Sequence, residues 1–178
     1  MCSPVLPSHI VKYKSACNPE KLDKIESAIA VIQASIGWDE EDLEMTRGRL
    51  ESLGTSRITV KDSSSRELIG YAILVPQQLD GLPSWYLSQI AVIKALHGKG
   101  IGKEIMQQIF REARHQGLNR VTLHTDGSDE QLVRFYRSVA KLEGIHIRLL
   151  QESRSRFGLP RLKLCYEVGS VFIGFDKD

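Results

Sequence analysis

A single stretch, residues 87–110, places the strongest constraint on the fold, because it combines a strand, a glycine loop and a helix. It opens with an apolar run over residues 87–93, rich in the branched side chains that suit a buried strand. Three glycines follow within five positions, at Gly98, Gly100 and Gly102. Isoleucines then recur at every fourth position, at Ile101, Ile105 and Ile109. That spacing predicts a helix that buries one face.

A strand that leads through a glycine loop into a helix can bind an anion. The first amides of a helix have no partner within it, and the helix dipole adds partial positive charge there. The loop does not match the Walker pattern, because His97 and Glu104 stand where Gly and Ser or Thr are required. It does not match the dinucleotide fingerprint, because Lys103 replaces the third glycine. An ordinary glycine turn between strand and helix is the alternative that these residues leave open.

The composition predicts one globular domain with no membrane-spanning segment. The 178 residues suffice for a core, and 42% hydrophobic with 26% charged residues is usual for such a domain. No apolar run approaches the roughly 20 residues that cross a bilayer, and the N-terminus lacks the features of a signal peptide. The three cysteines show neither metal-ligand spacing nor a paired framework, so we expect a cytoplasmic protein without a metal site. The net charge of +2 favours no particular partner, and we expect none that is a nucleic acid.

Turn, capping and periodicity signals predict seven strands and four helices. The strands are predicted at residues 9–14, 57–61, 67–75, 84–93, 120–125, 145–150 and 162–168. The helices are predicted between residues 18 and 37, 39 and 54, 101 and 115, and 128 and 144. The remaining segments are a polar connection over 76–83, a basic loop over 152–161, and a last strand or tail over 169–178. This order predicts an α/β protein with a mixed central sheet of about seven strands flanked by helices.

Capping residues and apolar stripes orient the predicted helices. Asn18 and Pro19 mark the start of the first helix, Asp39 caps the second, and Ser128 or Asp129 caps the fourth. The first helix is predicted to bury Leu22, Ile25, Ile29, Ile32 and Ile36. The second is predicted to bury Leu43, Thr46, Leu50 and Leu53. The fourth is predicted to bury Leu132, Phe135, Val139 and Leu142.

The glycine loop and the strand before it resemble the pyrophosphate loop of the GCN5-related N-acetyltransferases, the GNAT superfamily. That loop carries Gln/Arg-x-x-Gly-x-Gly/Ala after a strand that ends in an apolar residue, Ala and Val. Here the strand ends in Ile90-Ala91-Val92, and four residues later the loop is His97-Gly98-Lys99-Gly100-Ile101-Gly102. The order of predicted elements is similar to the whole acetyltransferase fold. The resemblance therefore implies a single N-acetyltransferase domain over residues 1–178, with its specific motifs between 84 and 144.

The resemblance implies acetyl-CoA as the acyl donor, with CoA as a product. Family members hold the CoA pyrophosphate with loop amides and the pantetheine with the preceding strand. The implied phosphate-binding residues are His97, Gly98, Lys99, Gly100, Ile101, Gly102 and Lys103. The implied contacts to pantetheine and the acetyl carbonyl are Ile90, Ala91 and Val92. Lys99 and Lys103 would add charge against phosphate, and solvated side chains are the alternative. His97 replaces the usual Gln or Arg, which removes no backbone amide.

The resemblance also implies a general acid, Tyr136, on the fourth helix. Residues 129–136 match the family segment Asn-x-x-Ala-x-x-apolar-Tyr, with Asp129 at the Asn position and therefore an implied cofactor contact. A tyrosine beside the sulfur can protonate the leaving thiolate, since its pKa is above that of a thiol. The alternative is a core tyrosine that completes the apolar stripe. Ala140 and Lys141 stand where the family has Gly-Phe after this helix.

The base that accepts the amine proton is predicted less directly. Many family members carry a Glu on the fourth strand, and residues 84–89 contain no carboxylate. Tyr86 and His124 stand instead where some N-terminal acetyltransferases of the family have a Tyr/His pair that acts through water. Histidine has a pKa suited to this task near neutrality. The alternatives are that His124 has a structural role in its strand and that Tyr86 forms an aromatic wall of the site. Asp126 is a weaker candidate for the base.

These residues together predict an acetyl-CoA-dependent N-acetyltransferase that acts directly on a primary amine, either a protein or peptide N-terminus or a small molecule. The basic loop over 152–161 leaves open an acceptor with a carboxylate or phosphate, although an exposed loop is the alternative. A non-catalytic acyl-CoA-binding sensor or interaction module is the competing function. We expect a monomer or a homodimer.

Overall fold

The computed structural model describes residues 9–14, 22–52, 54–155 and 158–169, and there its elements follow the predicted order. The strands are β1 (His9–Lys14), β2 (Ser56–Asp62), β3 (Leu68–Leu79), β4 (Leu82–Val92), β5 (Arg120–Asp126), β6 (His146–Arg154) and β7 (Pro160–Glu167). The helices are α1 (Leu22–Ser35), α2 (Glu40–Leu50), α3 (Ile101–His115) and α4 (Glu130–Leu142). A short 3-10 helix covers Lys94–Leu96.

The strands form one sheet in the order β1-β2-β3-β4-β5-β7-β6. Antiparallel registers join β1 to β2, β2 to β3, β5 to β7 and β6 to β7. The predicted α/β class, with a mixed seven-stranded sheet and four helices, is confirmed. The chain divides into two compact units, the first comprising Met1–Pro76 with Tyr86–Ile109, the second Gln77–Trp85 with Phe110–Asp178. The assignment of all 178 residues to a single domain stays a prediction.

Helices α1 and α2 form as their sequence signals predict. In α1, Ile29 and Ile32 are buried in the core of the first unit, and Gly37, two residues after the helix, has a φ of +82°. Asp39 caps α2 in a reciprocal capping box with Asp42, whose amide donates to the Asp39 side chain at 3.1 Å. The predicted start of α1 at residues 18–20 and the packing of Leu22 and Leu53 lie outside the described residues.

Four buried polar side chains connect α1, α2, β3 and β4 in the first unit: Gln33, Thr46, Tyr71 and Gln89. The amide of Gln33 donates to the hydroxyl oxygens of Thr46 at 2.8 Å and Tyr71 at 2.9 Å. The Thr46 hydroxyl donates to Gln89 Oε1 at 2.8 Å. Burial raises the pKa of Tyr71, so its phenol stays protonated. This network fixes the two helices to β4 at a residue adjacent to the predicted pantetheine strand.

Thr46→Val should destabilise the protein by about 1–3 kcal/mol, because the isosteric change leaves one buried N–H of Gln33 unpaired. It also leaves Gln89 Oε1 with only the longer bond from Tyr71, at 3.4 Å. The free energy of unfolding from urea titration measures this loss. Thr59→Val is the matched control, since Thr59 is also buried but its hydroxyl bonds Lys12 only at 3.5 Å. Equal stabilities of the two variants would show that the network contributes nothing.

In the second unit, β7 lies between β5 and β6 and contributes the buried side chains of Leu164, Cys165 and Tyr166 to the core. The rings of Phe110 and Tyr166 pack with centroids 4.9 Å apart. The Tyr166 hydroxyl donates to the main-chain carbonyl of Tyr136 at 3.1 Å and so joins β7 to α4. Asp129 caps α4, and its Oδ1 accepts from the Leu132 amide at 2.9 Å. These contacts set the position of α4 relative to β7.

The predicted polar connection over residues 76–83 is wrong. Strand β3 continues to Leu79 and β4 begins at Leu82, so Asp80 and Gly81 form a tight hairpin turn. Both have positive φ, +52° and +75°, as two-residue hairpin turns require. Asp-Gly is a strong hairpin signal, so this turn could have been predicted from the sequence. Pro76 favours the end of a strand, but here it lies within β3.

Two further expectations are corrected in the second unit. The basic loop is shorter than predicted, because β6 extends to Arg154 and β7 begins at Pro160. The buried stripe of α4 is also rotated: Tyr136, Val139 and Ala140 are buried, whereas Leu142 is 53% exposed. The end of the chain over 170–178 lies outside the described residues, so its assignment as strand or tail stays a prediction.

Candidate functional site

The glycine loop in the first unit follows the end of β4 through the 3-10 helix. Gly98 and Gly100 have φ values of +76° and +86°, the left-handed region that favours glycine. A Cβ added at either position would meet nothing within 4 Å. The loop therefore leaves open space beside its backbone, where a ligand can approach closely.

Helix α3 begins at this loop. Its first helical hydrogen bond runs from the Glu104 amide to the Gly100 carbonyl at 3.1 Å. The amides of Ile101, Gly102 and Lys103 therefore have no acceptor within the helix. The Ile101 side chain is only 4% exposed and anchors the turn in the core, while Lys99 and Lys103 are exposed. This combination of free helical amides, open glycine backbone and exposed lysines fits a pyrophosphate group.

Two side chains near the loop form contacts that periodicity and motifs do not reveal. His97 Nε2 lies 2.8 Å from the Val92 carbonyl, and this contact links the loop to the end of β4. His9 Nε2 lies 2.5 Å from Glu104 Oε2, in the first turn of α3. No sequence signal joins His9 to a residue so distant in the chain.

The predicted pantetheine strand lies at the end of β4. Ala91 is 5% exposed and belongs to the core, whereas Ile90 and Val92 alternate with it and are half-buried. Close packing fixes this end of the strand, since a Cβ on Gly70 would lie 3.3 Å from the Ala91 carbonyl oxygen. Tyr86 lies further back on the same strand and is half-buried.

The second unit contains the remaining predicted residues. Tyr136 is only 5% exposed, and its ring contacts Phe135 edge-on at a centroid distance of 5.1 Å. His124 is half-buried on β5, and burial, followed by the charges of Arg161 and Lys163, lowers its pKa. Its imidazole is therefore neutral at pH 7 and able to accept a proton.

Two carboxylates near these residues have structural roles. Asp129, predicted as a cofactor contact, caps α4. Asp126 Oδ1 accepts from the Ser128 hydroxyl at 2.6 Å and from the Ser128 amide at 2.8 Å, and these bonds lower its pKa. Asp126 thus stabilises the turn after β5, as expected if it does not act as a base.

The predicted site residues form two groups. Tyr86, residues 90–92 and residues 97–103 belong to the first unit, and His124, Asp129 and Tyr136 to the second. Over the described ranges, no group of three or more His, Cys, Asp or Glu side chains is suited to hold a metal ion. In the same part of the chain, no helix is long and apolar enough to cross a membrane. The cytoplasmic location and the oligomeric state stay predictions.

Many solved structures share this fold, two acetyltransferases among them. One is the ribosomal-protein-S18-alanine N-acetyltransferase from Escherichia coli, with a TM-score of 0.66 and 12% identity, covering 95% of this chain and 99% of that chain. Another is an aminoglycoside 6'-N-acetyltransferase complexed with coenzyme A, with a TM-score of 0.60 and 14% identity, covering 89% of this chain and 97% of that chain. At these identities the similarity establishes the fold alone.

Sequence comparisons establish the family. Among curated proteins, the chain is similar to an uncharacterized N-acetyltransferase, ycf52, of Gracilaria tenuistipitata var. liui, with 26% identity over 104 residues. That match covers 58% of this chain and 54% of the relative, so the chain spans about half the length of that protein. The family model of the acetyltransferase (GNAT) family matches residues 24–140, well over half of the chain. The resemblance seen in the loop is confirmed, and the chain belongs to the GNAT family of acetyltransferases.

Proposed function

We propose that the protein transfers an acetyl group from acetyl-CoA directly to a primary amine. The start of α3 carries this proposal: the amides of residues 101–103 lack helical acceptors beside two glycines that leave open space. These amides, with those of Gly98 and Gly100, would hold the pyrophosphate of the donor. The amides of His97 and Lys99 instead donate to the Lys94 and Leu96 carbonyls, at 3.1 and 3.4 Å. The backbone of residues 90–92 would bind pantetheine and orient the acetyl carbonyl. The donor supplies the activated thioester.

Tyr136 is proposed as the general acid. Acetyl transfer releases a thiolate, and a neutral phenol can donate its proton to that sulfur because a tyrosine normally has the higher pKa. The Tyr166 bond to the main chain of Tyr136 holds this turn of α4 in place. The low exposure of Tyr136 supports the role, since a proton donor works best where bulk water does not compete.

His124 is proposed as the base, acting through water with Tyr86. An alkylamine is almost wholly protonated at neutral pH and must lose a proton before it attacks the thioester. The lowered pKa of His124 keeps its imidazole unprotonated under those conditions. Burial and the two neighbouring cations all disfavour the imidazolium form.

The acid limb of kcat/KM against pH should therefore have its midpoint below 6.5, the ordinary pKa of histidine. Activity falls as pH decreases through the midpoint, because protonated His124 cannot accept a proton. His124→Gln should lower the rate at pH 7 by about 10²-fold and remove this limb. An acid limb that persists unchanged in the variant would assign the ionisation to another group.

The acceptor is proposed to be a peptide or protein N-terminus, with a small-molecule amine as the alternative. Two structural neighbours have names that specify a ribosomal-protein alanine and an aminoglycoside, so the fold accommodates both kinds of acceptor. The Tyr86 and His124 pair favours the N-terminus, because the resemblance relates this pair to N-terminal acetyltransferases.

A panel of amines, assayed for thiol release with acetyl-CoA, tests the proposed reaction. Calorimetry with CoA and acetyl-CoA on the folded protein tests the binding step separately. Binding without turnover on any amine would favour the competing function, a non-catalytic acyl-CoA sensor or interaction module. Absence of heat with every CoA species would exclude both functions.

A further inference from the structure

Two cations lie beside His124 on the same face of the sheet. In the antiparallel register of β5 and β7, His124 is directly opposite Lys163, and Asp126 is opposite Arg161. Opposed residues share a face, with Cβ atoms about 4.5–5.5 Å apart, and residues two apart on one strand also share it. His124, Lys163, Arg161 and Asp126 therefore lie on one face, and we call the three basic side chains among them the basic face.

The basic face is held by ordered strands rather than by a loop. Strand β7 pairs with β5 on one side and β6 on the other, where Lys163 is opposite Gln151 and Arg161 is opposite Ser153. The Gly127 amide donates to the Pro160 carbonyl at 3.0 Å, which ties the start of β7 to the end of β5. The two cations thus project from a backbone with hydrogen-bonded neighbours on both sides.

Exposure increases along the basic face. Thr122 and Cys165, opposite each other at one end, are fully buried. His124 and Lys163 are half-buried in the next position, and Arg161 beyond them is exposed. A group that reaches His124 from solvent along this face therefore passes the two cations.

Neither cation forms an ion pair among the described residues, where Arg161 and Lys163 have no salt bridge under a 4.0 Å limit. Asp126, directly opposite Arg161, remains an anion because its hydrogen bonds from Ser128 lower its pKa, but it forms no salt bridge with Arg161. Two cations and one carboxylate leave this part of the face with a net positive charge. The positive potential acts on His124, since both cations contribute to lowering its pKa.

We infer that the acceptor amine carries an anionic group, a carboxylate or a phosphate, that Lys163 and Arg161 bind while the amine is placed near His124. This inference rests on the proposed function and specifies the acceptor class. A primary ammonium alone would be repelled by two cations, whereas an amine with a nearby anion is attracted and oriented. An N-terminus followed by acidic residues, a free amino acid and a phosphorylated amine all have this chemistry.

Three matched pairs of acceptors separate these sources: Ala-Glu-Glu and Ala-Gln-Gln peptide amides, alanine and alaninamide, and O-phosphoethanolamine and ethanolamine. The ratio of kcat/KM within each pair is compared among the wild type, Lys163→Met, Arg161→Met and the double variant that carries both substitutions. Intrinsic differences in amine reactivity cancel in this comparison. We expect at least one pair whose anionic preference falls roughly five- to tenfold in the double variant and weakens with added salt. Lys141→Met, an exposed cation on α4, is the control and should leave every ratio unchanged.

The outcomes distinguish this inference from the proposed function. Turnover with ratios that do not change in the double variant overturns the inference and leaves the acetyltransferase reaction intact. Absence of turnover on all six amines contradicts the proposed function, and calorimetry then decides the inference. Binding of N-acetyl-Glu-Glu amide to the CoA-loaded protein that weakens in Lys163→Met supports an anion site. Equal or absent binding of the Glu-Glu and Gln-Gln forms overturns it.

Discussion

Replacing Tyr136 with phenylalanine should lower kcat by about 10²–10³-fold and leave the Kd for CoA within about twofold. The hydroxyl is the only group removed, so the change deletes the proposed proton donor and keeps the ring that contacts Phe135. The main-chain bond from Tyr166 is also retained, because it involves the Tyr136 carbonyl. Steady-state thiol release and calorimetry with CoA measure the two quantities independently.

Tyr71→Phe provides the matched control for this experiment. Tyr71 is equally buried, but its hydroxyl belongs to the polar network with Gln33 in the first unit. We expect a loss of about 1 kcal/mol in the free energy of unfolding and little change in kcat. A Tyr136→Phe variant with full activity and lower stability would assign Tyr136 to the core and favour the acyl-CoA-binding module.

Gly100→Leu should weaken CoA binding by at least about 100-fold, the equivalent of losing two charge-assisted hydrogen bonds. A leucine side chain would occupy the open space beside the loop and keep the pyrophosphate away from the helix amides. The protein should still fold, since the new Cβ meets no neighbouring atom and the left-handed backbone costs about 1–2 kcal/mol. Calorimetric Kd values and thermal unfolding report the two effects.

Gly117→Leu separates loss of the ligand from backbone strain. Gly117 also has a positive φ, +71°, and open space around an added Cβ, but it lies at the other end of α3. The two variants should have similar stability, and only Gly100→Leu should lose affinity. If both bind CoA as the wild type does, the glycine loop is an ordinary turn between strand and helix.

Local signals were sufficient to predict most of the fold and the glycine loop. Asp39 caps α2, and Gly37 ends the turn after α1, because capping and left-handed glycine depend on a few adjacent residues. The start of α3 at the loop follows from the same kind of signal. The loop motif was recognisable as a resemblance to the family because Gly98 and Gly100 are required by a local backbone conformation rather than by distant contacts.

Features that depend on distant residues were not predictable from these patterns. The contact between His9 and Glu104, and the network that joins Gln33 to Gln89, bring together residues with no common motif. The rotated stripe of α4 has a similar cause. Tyr136 is buried and its main-chain carbonyl accepts a hydrogen bond from Tyr166 on β7, whereas Leu142 is exposed, and no local pattern in α4 indicates that pairing with β7.

The position of β7 has a consequence for synthesis of the chain. This strand comes last of the seven, yet it inserts between β5 and β6 and pairs with both. Until it leaves the ribosome, each of those strands has an edge with unsatisfied amides and carbonyls. The nascent second unit is therefore exposed to misassociation until β7 has emerged and paired with both strands.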